Sequence, residues 1–158
     1  MQLILWRHAE AEDHNPKGDL ARALTKHGRN QAARMAEWLK PRLVGDWRIL
    51  VSPAKRALET VEPLGRDFAI VDEIAPEAPA RNVLRAASWP HSAHDIVIVG
   101  HQPTLGEVAS MIFVGEEGEA SIRKGAVWWF EARGREGRMN TLLKAVLSPD
   151  LLDPKESR

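Results

Sequence analysis

The stretch Leu3-Ile4-Leu5-Trp6-Arg7-His8-Ala9-Glu10-Ala11-Glu12 decides how the rest of the chain is interpreted. Its apolar residues 3–6 predict a buried strand that begins almost at the amino terminus. Arg7 and His8 follow at once, so their side chains are expected at the carboxyl-terminal edge of a sheet, where open α/β sheets bind ligands. A guanidinium beside an imidazole suits a phosphate group. An Arg-His pair is also common by chance and could lie solvated at a strand end.

The composition of this 158-residue chain predicts a single domain over residues 1–158, with a tail that frays from about residue 148. The 22 basic and 22 acidic residues balance, which argues against nucleic acid and membrane as partners. The absence of cysteine excludes disulfides and thiolate chemistry and suits a reducing cytoplasm. No stretch looks like a membrane span or a signal peptide. We therefore expect a cytoplasmic protein that recognises phosphate locally.

Apolar runs alternate with helical patterns along most of the chain. After the first strand, the pattern predicts a helix over 25–39 with Thr25 as N-cap, a strand over 47–51, and a helix that is capped by Ser52-Pro53 and ends at Gly65. A weak strand over 68–71, a loop over 72–79 and a short helix over 81–87 follow. The last elements of this part are a strong strand over 95–100 and a helix from Pro103, whose inner face carries Leu105, Val108, Ala109, Ile112 and Phe113. Such alternation predicts a parallel sheet covered by helices on both faces.

The carboxyl-terminal part has a different pattern. Two apolar runs, 126–132 and 142–147, flank the polar residues 133–140, which predicts an antiparallel hairpin at a sheet edge. Because neighbouring strand residues point to opposite faces, at most one of Trp128 and Trp129 fills the core. The fold class is therefore α/β, with a mostly parallel central sheet and an antiparallel edge hairpin.

Three segments share one arrangement, in which a strand leads through a short turn bearing Arg or His into a helix. They carry Arg7-His8, Arg56 and His101. Helix N-termini attract anions, so a cation in the first turn, such as Arg56, is unfavourable unless it serves a function. Each residue also has a structural alternative: Arg56 could pair with Glu59, and His101 could be a core histidine at a strand end.

Four motifs in order resemble those of the histidine phosphatase superfamily. They are Leu5-Trp6-Arg7-His8-Ala9, the Leu24-Thr25 motif with Gly28, Gln31 and Ala32, the Ser52-Pro53-Ala54 motif with Arg56-Ala57 and Glu59-Thr60, and Val99-Gly100-His101-Gln102-Pro103. The short chain and the early Leu-Thr motif look most like the SixA branch, whose type activity is dephosphorylation of protein phosphohistidine. The resemblance implies a phosphoglycerate mutase-like, three-layer α/β/α fold.

The resemblance also implies roles for four residues. His8 would attack phosphorus as neutral imidazole and form a phosphohistidine intermediate, with its pKa lowered by burial beside Arg7. Arg7 and Arg56 would hold the phosphoryl oxygens, and His101 would donate a further hydrogen bond. Fixed cations in a dry pocket neutralise charge without a metal, so we expect no metal and no cofactor.

A general acid for the leaving group is harder to assign. Larger relatives carry a Glu in the loop after the third strand, whereas the sequence around Glu77 here does not match their context. Asp19 and Arg22 fall where SixA-like chains carry an Asp-x-x-Arg-x-Leu-Thr pattern, and Glu10 lies two residues after His8. Asp19, Glu10 and Glu77 are therefore candidates for an acid, and Arg22 for a substrate contact. Each could equally be a solvated surface residue.

The leading hypothesis is a phosphatase that acts on a phosphorylated histidine of a protein, such as a histidine phosphotransfer domain. An imidazole leaves more easily than an alkoxide, so the missing acid loop favours this substrate. One alternative is a phosphatase for small phosphomonoesters, and another is a phosphate-binding module without turnover. All three require phosphate or another oxyanion in the pocket formed by the four motifs.

Overall fold

The computed structural model describes residues 1–116, 118–153 and 155. In chain order its helices and strands are β1 (Gln2–Arg7), α1 (Lys26–Leu39), β2 (Trp47–Val51), α2 (Lys55–Val61), β3 (Ala69–Ile70), α3 (Ala80–Ala86), β4 (Asp95–Gly100), α4 (Thr104–Phe113), β5 (Val127–Arg135) and β6 (Arg138–Leu147). Short 3-10 helical turns cover Asp19–Ala21, Glu62–Leu64, Asp72–Ile74 and Pro149–Leu152. No helix among the described residues is long and apolar enough to span a membrane.

The strands form one six-stranded sheet in the order β3-β2-β4-β1-β5-β6. Strands β1, β2, β3 and β4 are parallel, and β5 and β6 form an antiparallel hairpin that leaves β6 at the edge. Residues Ile4 and Trp6 pack with α1 and α2 on one face, while Leu3 and Leu5 pack with α3 and α4 on the other. The predicted three-layer α/β/α architecture is therefore confirmed.

Burial of alternate side chains explains why β1 is apolar throughout, since both of its faces are covered. The tryptophan pair follows the same rule. Trp129 is buried and packs edge-on against Trp38 and Trp47, with ring centroids 6.2 and 5.7 Å away. Trp128 is half-buried against the opposite core. One residue of the pair thus fills the first core, as the alternation predicts.

The structure corrects several predicted boundaries. Helix α2 begins at Lys55 with Ala54 as its N-cap, so Ser52 is not the capping residue. The hairpin turn is shorter than residues 133–140, because the strands pair as far as Arg135 and Arg138. Phe113, predicted on the inner face of α4, is 55% exposed at the end of that helix.

The segment that follows β6 contacts α1. Residues 149–152 form a 3-10 turn against α1. The buried Asp153 forms an ion pair with Arg34, with 2.7 Å between Oδ2 and Nη1. These contacts join residues 149–153 to α1, and the fraying of the tail stays a prediction. Residues 154 and 156–158 of the predicted tail lie outside the described residues.

Candidate active site

The carboxyl ends of β1, β2 and β4 lie side by side and bring together residues that are far apart in sequence. The backbone N–H of His8 donates to the carbonyl of Gly100 at 3.0 Å, and the N–H of Ser52 donates to the carbonyl of Val99 at 3.0 Å. The sheet register therefore places His8, Ser52 and His101 at one edge. The rings of His8 and His101 have centroids 5.2 Å apart, with 52° between their planes.

A cavity of about 270 Å³ opens at this edge of the sheet. Its lining residues are Arg7, His8, Ala11, Asp13, Asp19, Arg22, Arg56, Pro76, Glu77, His101, Gln102 and Lys124. All four residues to which the motifs gave a role in phosphoryl transfer are present, together with three of the four candidates for an acid or a substrate contact. A larger groove of about 510 Å³ lies between α3 and α4, but no histidine lines it.

Glu10 is the candidate that the structure does not bring into this cavity. Its carboxylate accepts a hydrogen bond from Thr25 Oγ1 at 2.8 Å. Thr25 in turn caps α1 by accepting from the Gly28 N–H at 2.9 Å. The Glu10 side chain therefore supports the start of α1 and is not placed to donate a proton to a leaving group in the cavity.

Hydrogen bonding fixes which nitrogen of His8 is free. Its Nδ1 lies 2.8 Å from the carbonyl oxygen of Ala9, which can only accept, so Nδ1 carries the proton. The Nε2 atom of the neutral ring then keeps its lone pair. Burial, with a smaller contribution from the Arg56, Arg7 and Arg22 charges, lowers the pKa of His8 to about 4. At neutral pH the ring is therefore uncharged, with the lone pair on Nε2.

Ala9, whose carbonyl orients His8, is also held through its N–H from α2. The N–H of Ala9 donates to Thr60 Oγ1 at 3.0 Å, and the Thr60 hydroxyl donates to the carbonyl of Arg56 at 2.7 Å. Thr60 is fully buried. This chain of bonds connects the turn that carries Arg56 to the His8–Ala9 peptide group, one residue along from the carbonyl that binds the His8 ring. Thr60 was visible in the third motif, but its role is clear only from the structure.

Residues of the second motif, on α1, also hold the segment that follows His8. Gln31 Oε1 accepts from the N–H of Glu10 at 2.9 Å. Gly28 lies against the Glu10 backbone, so that a Cβ at this position would be 1.9 Å from the Glu10 carbonyl oxygen. The motif residues of α1 therefore hold the loop that follows His8.

A buried guanidinium group, that of Arg56, and a partly buried one, that of Arg7, supply positive charge to the cavity. Arg56 is 3% exposed and donates from Nη1 to the Asp19 carbonyl at 2.9 Å and from Nη2 to the Asp19 carboxylate at 3.1 Å. The alternative pairing with Glu59 does not form, because the Glu59 carboxylate accepts from the Leu24 N–H. Arg7 donates to the carbonyl of Ile122 at 2.8 Å. Burial lowers the pKa of both arginines, yet arginine stays charged at physiological pH.

Three buried nitrogen atoms lack hydrogen-bond partners within the part of the chain that the structure describes. They are Nε of Arg7, Nε of Arg56 and Nδ1 of His101. Buried polar groups without partners are uncommon and call for an explanation. All three belong to residues that line one cavity, and an oxyanion bound there would offer acceptors to such donors.

Asp19 and Arg22 lie at the rim and are joined to each other and to Arg56. Arg22 Nε is 3.0 Å from the Asp19 carboxylate. Burial opposes ionisation of Asp19, but hydrogen bonds and charges from Arg22 and Arg56 outweigh it and lower the pKa of the carboxyl. Asp19 is thus ionised at neutral pH, which suits a residue that holds arginines rather than one that gives up a proton. Glu77 lines the cavity in the left-handed region, with φ of 68°.

Sequence reasoning missed several lining residues, of which Lys124 adds a further cation. It precedes β5 in an irregular segment that carries no motif. The N–H of Gly125 holds that segment in place by bonding to the carbonyls of Arg7 and His8 at 3.1 and 3.0 Å. Only the folded chain reveals this contact. Within the described ranges, no three His, Asp or Glu side chains group as a metal site requires.

Comparison with known proteins gives the same family for this arrangement. Residues 3–78 match the family model of the histidine phosphatase superfamily, branch 1. The chain is 29% identical over 124 residues to the phosphohistidine phosphatase SixA of Escherichia coli strain K12, covering 73% of this chain and 76% of that protein. It is 33% identical over 128 residues to an uncharacterized protein of Picosynechococcus sp., covering 75% of this chain and 76% of that protein.

The fold also matches a solved structure of the protein histidine phosphatase SixA complexed with tungstate. The TM-score is 0.76 at 23% identity, and the match covers 97% of this chain and 100% of the other. At that identity the likeness concerns the fold, which is phosphoglycerate mutase-like as predicted.

Proposed function

This chain belongs to the histidine phosphatase superfamily, in its SixA-type branch, and on that premise we propose that it removes phosphate from a phosphorylated histidine of a protein. The observation that carries the proposal is the state of His8. Its Nδ1–H is held by Ala9, its Nε2 lone pair is free, and its pKa of about 4 keeps it neutral in a cavity lined by Arg7 and Arg56.

The reaction runs in two steps. The Nε2 lone pair of His8 attacks phosphorus, and the bond between phosphorus and the substrate imidazole nitrogen breaks as that nitrogen takes a proton from solvent. The phosphorylated His8 ring is cationic, and its Nδ1–H remains bonded to the Ala9 carbonyl. Water then attacks phosphorus as the bond between phosphorus and Nε2 of His8 breaks, the proton that the water loses passes to solvent, and inorganic phosphate and the neutral His8 ring are released.

Charge neutralisation comes from the protein itself in this proposal. Phosphoryl transfer depends mainly on positioning and on stabilising the equatorial oxygens. Arg7, Arg56, Arg22 and Lys124 line the cavity, and His101 is the one further lining residue with a buried, unpartnered nitrogen. We therefore propose a metal-independent reaction, in which turnover persists in the presence of a chelator.

The direct test uses a protein that carries a radiolabelled phosphohistidine, such as a phosphorylated histidine phosphotransfer domain. We expect the purified chain to release the label as inorganic phosphate and His8→Ala to release none, with circular dichroism confirming that the variant is folded. Equal label loss with wild type and His8→Ala would end the proposal. A rapid quench without acid should also trap labelled wild-type enzyme, which a phosphate-binding module without turnover would not give.

Hydrolysis of small phosphomonoesters is a second candidate, and the position of Glu77 favours it. Glu77 is one of the residues that line the cavity, and the acid form of its carboxyl group would protonate an alkoxide leaving group there. This function predicts turnover of sugar or glycerate phosphates that falls at least about tenfold in Glu77→Gln. Phosphohistidine turnover should change little in the same variant, because the imidazole leaving group needs no acid from this loop. Background activity across a panel of phosphomonoesters would remove the candidate.

A further inference from the structure

Ser52 lies beneath the second histidine of the site, and nothing in the reaction described above assigns it a task. Its Oγ atom is 2.7 Å from Nε2 of His101, and the residue is fully buried. The same Oγ accepts from the N–H of Ala54 at 3.3 Å. These are its two side-chain contacts in the described structure, and together they determine where the hydroxyl proton lies.

Two proton arrangements are possible for a neutral His101. If Nε2 carries the ring proton, it donates to Ser52 Oγ, and the serine O–H is left without an acceptor while Nδ1 of His101 is an unused acceptor. If Nδ1 carries the proton, the Ser52 O–H donates to Nε2 and only the Nδ1–H is unused. The second arrangement leaves one orphaned polar atom in place of two. Because unsatisfied buried polar groups are costly, it is favoured.

We propose that Ser52 is a positioning residue that sets the tautomer of His101, so that Nδ1 presents a proton to an oxyanion in the cavity. The inference rests on the proposed function in that the oxyanion is the transferring phosphoryl group. Nδ1 of His101 is buried without a partner among the described residues, and the centroid of the His101 ring lies 5.2 Å from that of His8, with the planes tilted by 52°. A hydrogen-bond donor is therefore held ready beside the nucleophile.

The tautomer matters because His101 is neutral at working pH. Burial, together with the nearby His8 and Arg56, lowers the pKa of His101 to about 3. A neutral imidazole donates from only one nitrogen, and with the wrong tautomer Nδ1 would turn a lone pair toward the phosphoryl oxygens. Ser52 prevents this repulsive arrangement without placing another charge in the cavity. Its role is the same in kind as that of Ala9, which holds the proton of His8 on Nδ1.

The test compares wild type with Ser52→Ala and Ser52→Thr, using nitrogen-15 NMR of labelled histidine at pH 7. His101→Gln assigns the His101 signals. We expect wild type and Ser52→Thr to carry the His101 proton on Nδ1. Ser52→Ala should lose this preference and bind inorganic phosphate about tenfold more weakly, as expected for loss of one hydrogen bond to a charged group.

Stability and turnover provide separate readouts. Ser52→Ala also removes the acceptor for Ala54, which alters the melting temperature but would not move the ring proton of His101. A Ser52→Ala protein that keeps its His101 proton on Nδ1, or binds phosphate as tightly as wild type, overturns the proposal. Both measurements are made without turnover. If wild type fails to hydrolyse phosphohistidine while the tautomer shifts as expected, the proposed function fails and the role of Ser52 stands.

Discussion

The carboxylate of Asp19 contacts the guanidinium of Arg56, with 3.1 Å between Oδ2 and Nη2. The contact joins an exposed residue of the first loop to a buried residue of α2. Asp19 thereby positions one of the cations that would hold phosphate, while its own negative charge opposes an incoming anion.

Replacement of Asp19 separates these two effects. Asp19→Asn keeps an oxygen for Arg56 but removes the charge, so we expect inorganic phosphate to bind about threefold more tightly, within the range of exposed ion pairs. Phosphohistidine turnover should stay within about tenfold of wild type, because the lowered pKa of Asp19 makes it a poor proton donor. The affinity for inorganic phosphate is measured from its inhibition of phosphohistidine turnover.

Asp13→Asn is a matched control, because Asp13 lines the same cavity and has no hydrogen bond or ion pair to Arg56 in the described structure. A similar gain in both variants would mean that general charge at the rim, and not the contact with Arg56, sets the affinity. A loss of turnover beyond a hundredfold in Asp19→Asn alone would identify Asp19 as the acid after all.

The sequence predicts the sheet edge of this site better than its rim. Arg7 ends a strand, His8 and His101 directly follow strands, and Arg56 lies in a first helical turn, so their shared placement and the resemblance of the four motifs predicted that they meet at one edge. Asp19 lies in a single 3-10 turn, and Lys124 and Glu10 lie in irregular segments; the paths of all three depend on individual hydrogen bonds that leave no periodic signal. Glu10 shows the limit clearly, because its proximity in sequence to His8 suggested a role that its bond to Thr25 does not support.

The pH dependence of turnover should follow the ionisation of His8. Because the pKa of His8 is lowered to about 4, the ring is neutral above that value and protonated below it. We expect kcat/KM for phosphohistidine to be insensitive to His8 ionisation from pH 8 to about 5 and to fall as the pH drops through about 4. Initial rates, corrected for the acid lability of the substrate, test this. An acidic limb centred near 6.5 would show that burial does not depress the pKa of the nucleophile.

The same lowered pKa values make stability depend on pH. Unfolded histidines titrate near 6.5, whereas His8 and His101 titrate at about 4 and about 3 in the folded chain. Between these values the unfolded state binds more protons, so the free energy of unfolding falls as the pH drops from 6.5 toward 4. A full shift of this size corresponds to a loss on the order of 3 kcal/mol for one histidine.

Urea denaturation at pH 7 and pH 5 measures that loss, with His101→Gln as the variant that removes one contributing group. We expect the difference in unfolding free energy between the two pH values to shrink in His101→Gln. An unchanged difference would place the pH-sensitive groups elsewhere in the chain.

Thr60 should affect both stability and catalysis, because its hydroxyl binds the N–H of Ala9 next to the nucleophile. Thr60→Val keeps the shape but leaves that buried N–H without an acceptor, at a cost of about 1–3 kcal/mol in unfolding free energy. With the Ala9 peptide free to shift, kcat should fall about tenfold or more, since small displacements of a nucleophile are costly. Thr60→Ser retains the hydroxyl and should therefore keep most of the wild-type unfolding free energy and most of the wild-type kcat. Full activity in a folded Thr60→Val would mean that the Ala9 peptide is held adequately by other bonds.

Gly28 offers a test of whether α1 fixes the loop behind His8. A Cβ at residue 28 would lie 1.9 Å from the carbonyl oxygen and 2.8 Å from the carbonyl carbon of Glu10, and backbone atoms cannot rotate away as a side chain can. Gly28→Ala should therefore push the helix and the loop apart, with a loss of about 1–3 kcal/mol in unfolding free energy and slower turnover. Gly134→Ala is the matched control, because a Cβ there meets nothing within 4 Å, and its effect should stay within about 0.5 kcal/mol. If Gly28→Ala loses stability but keeps wild-type kcat, the approach of α1 serves packing alone, and the position of His8 is set by the sheet and Thr60.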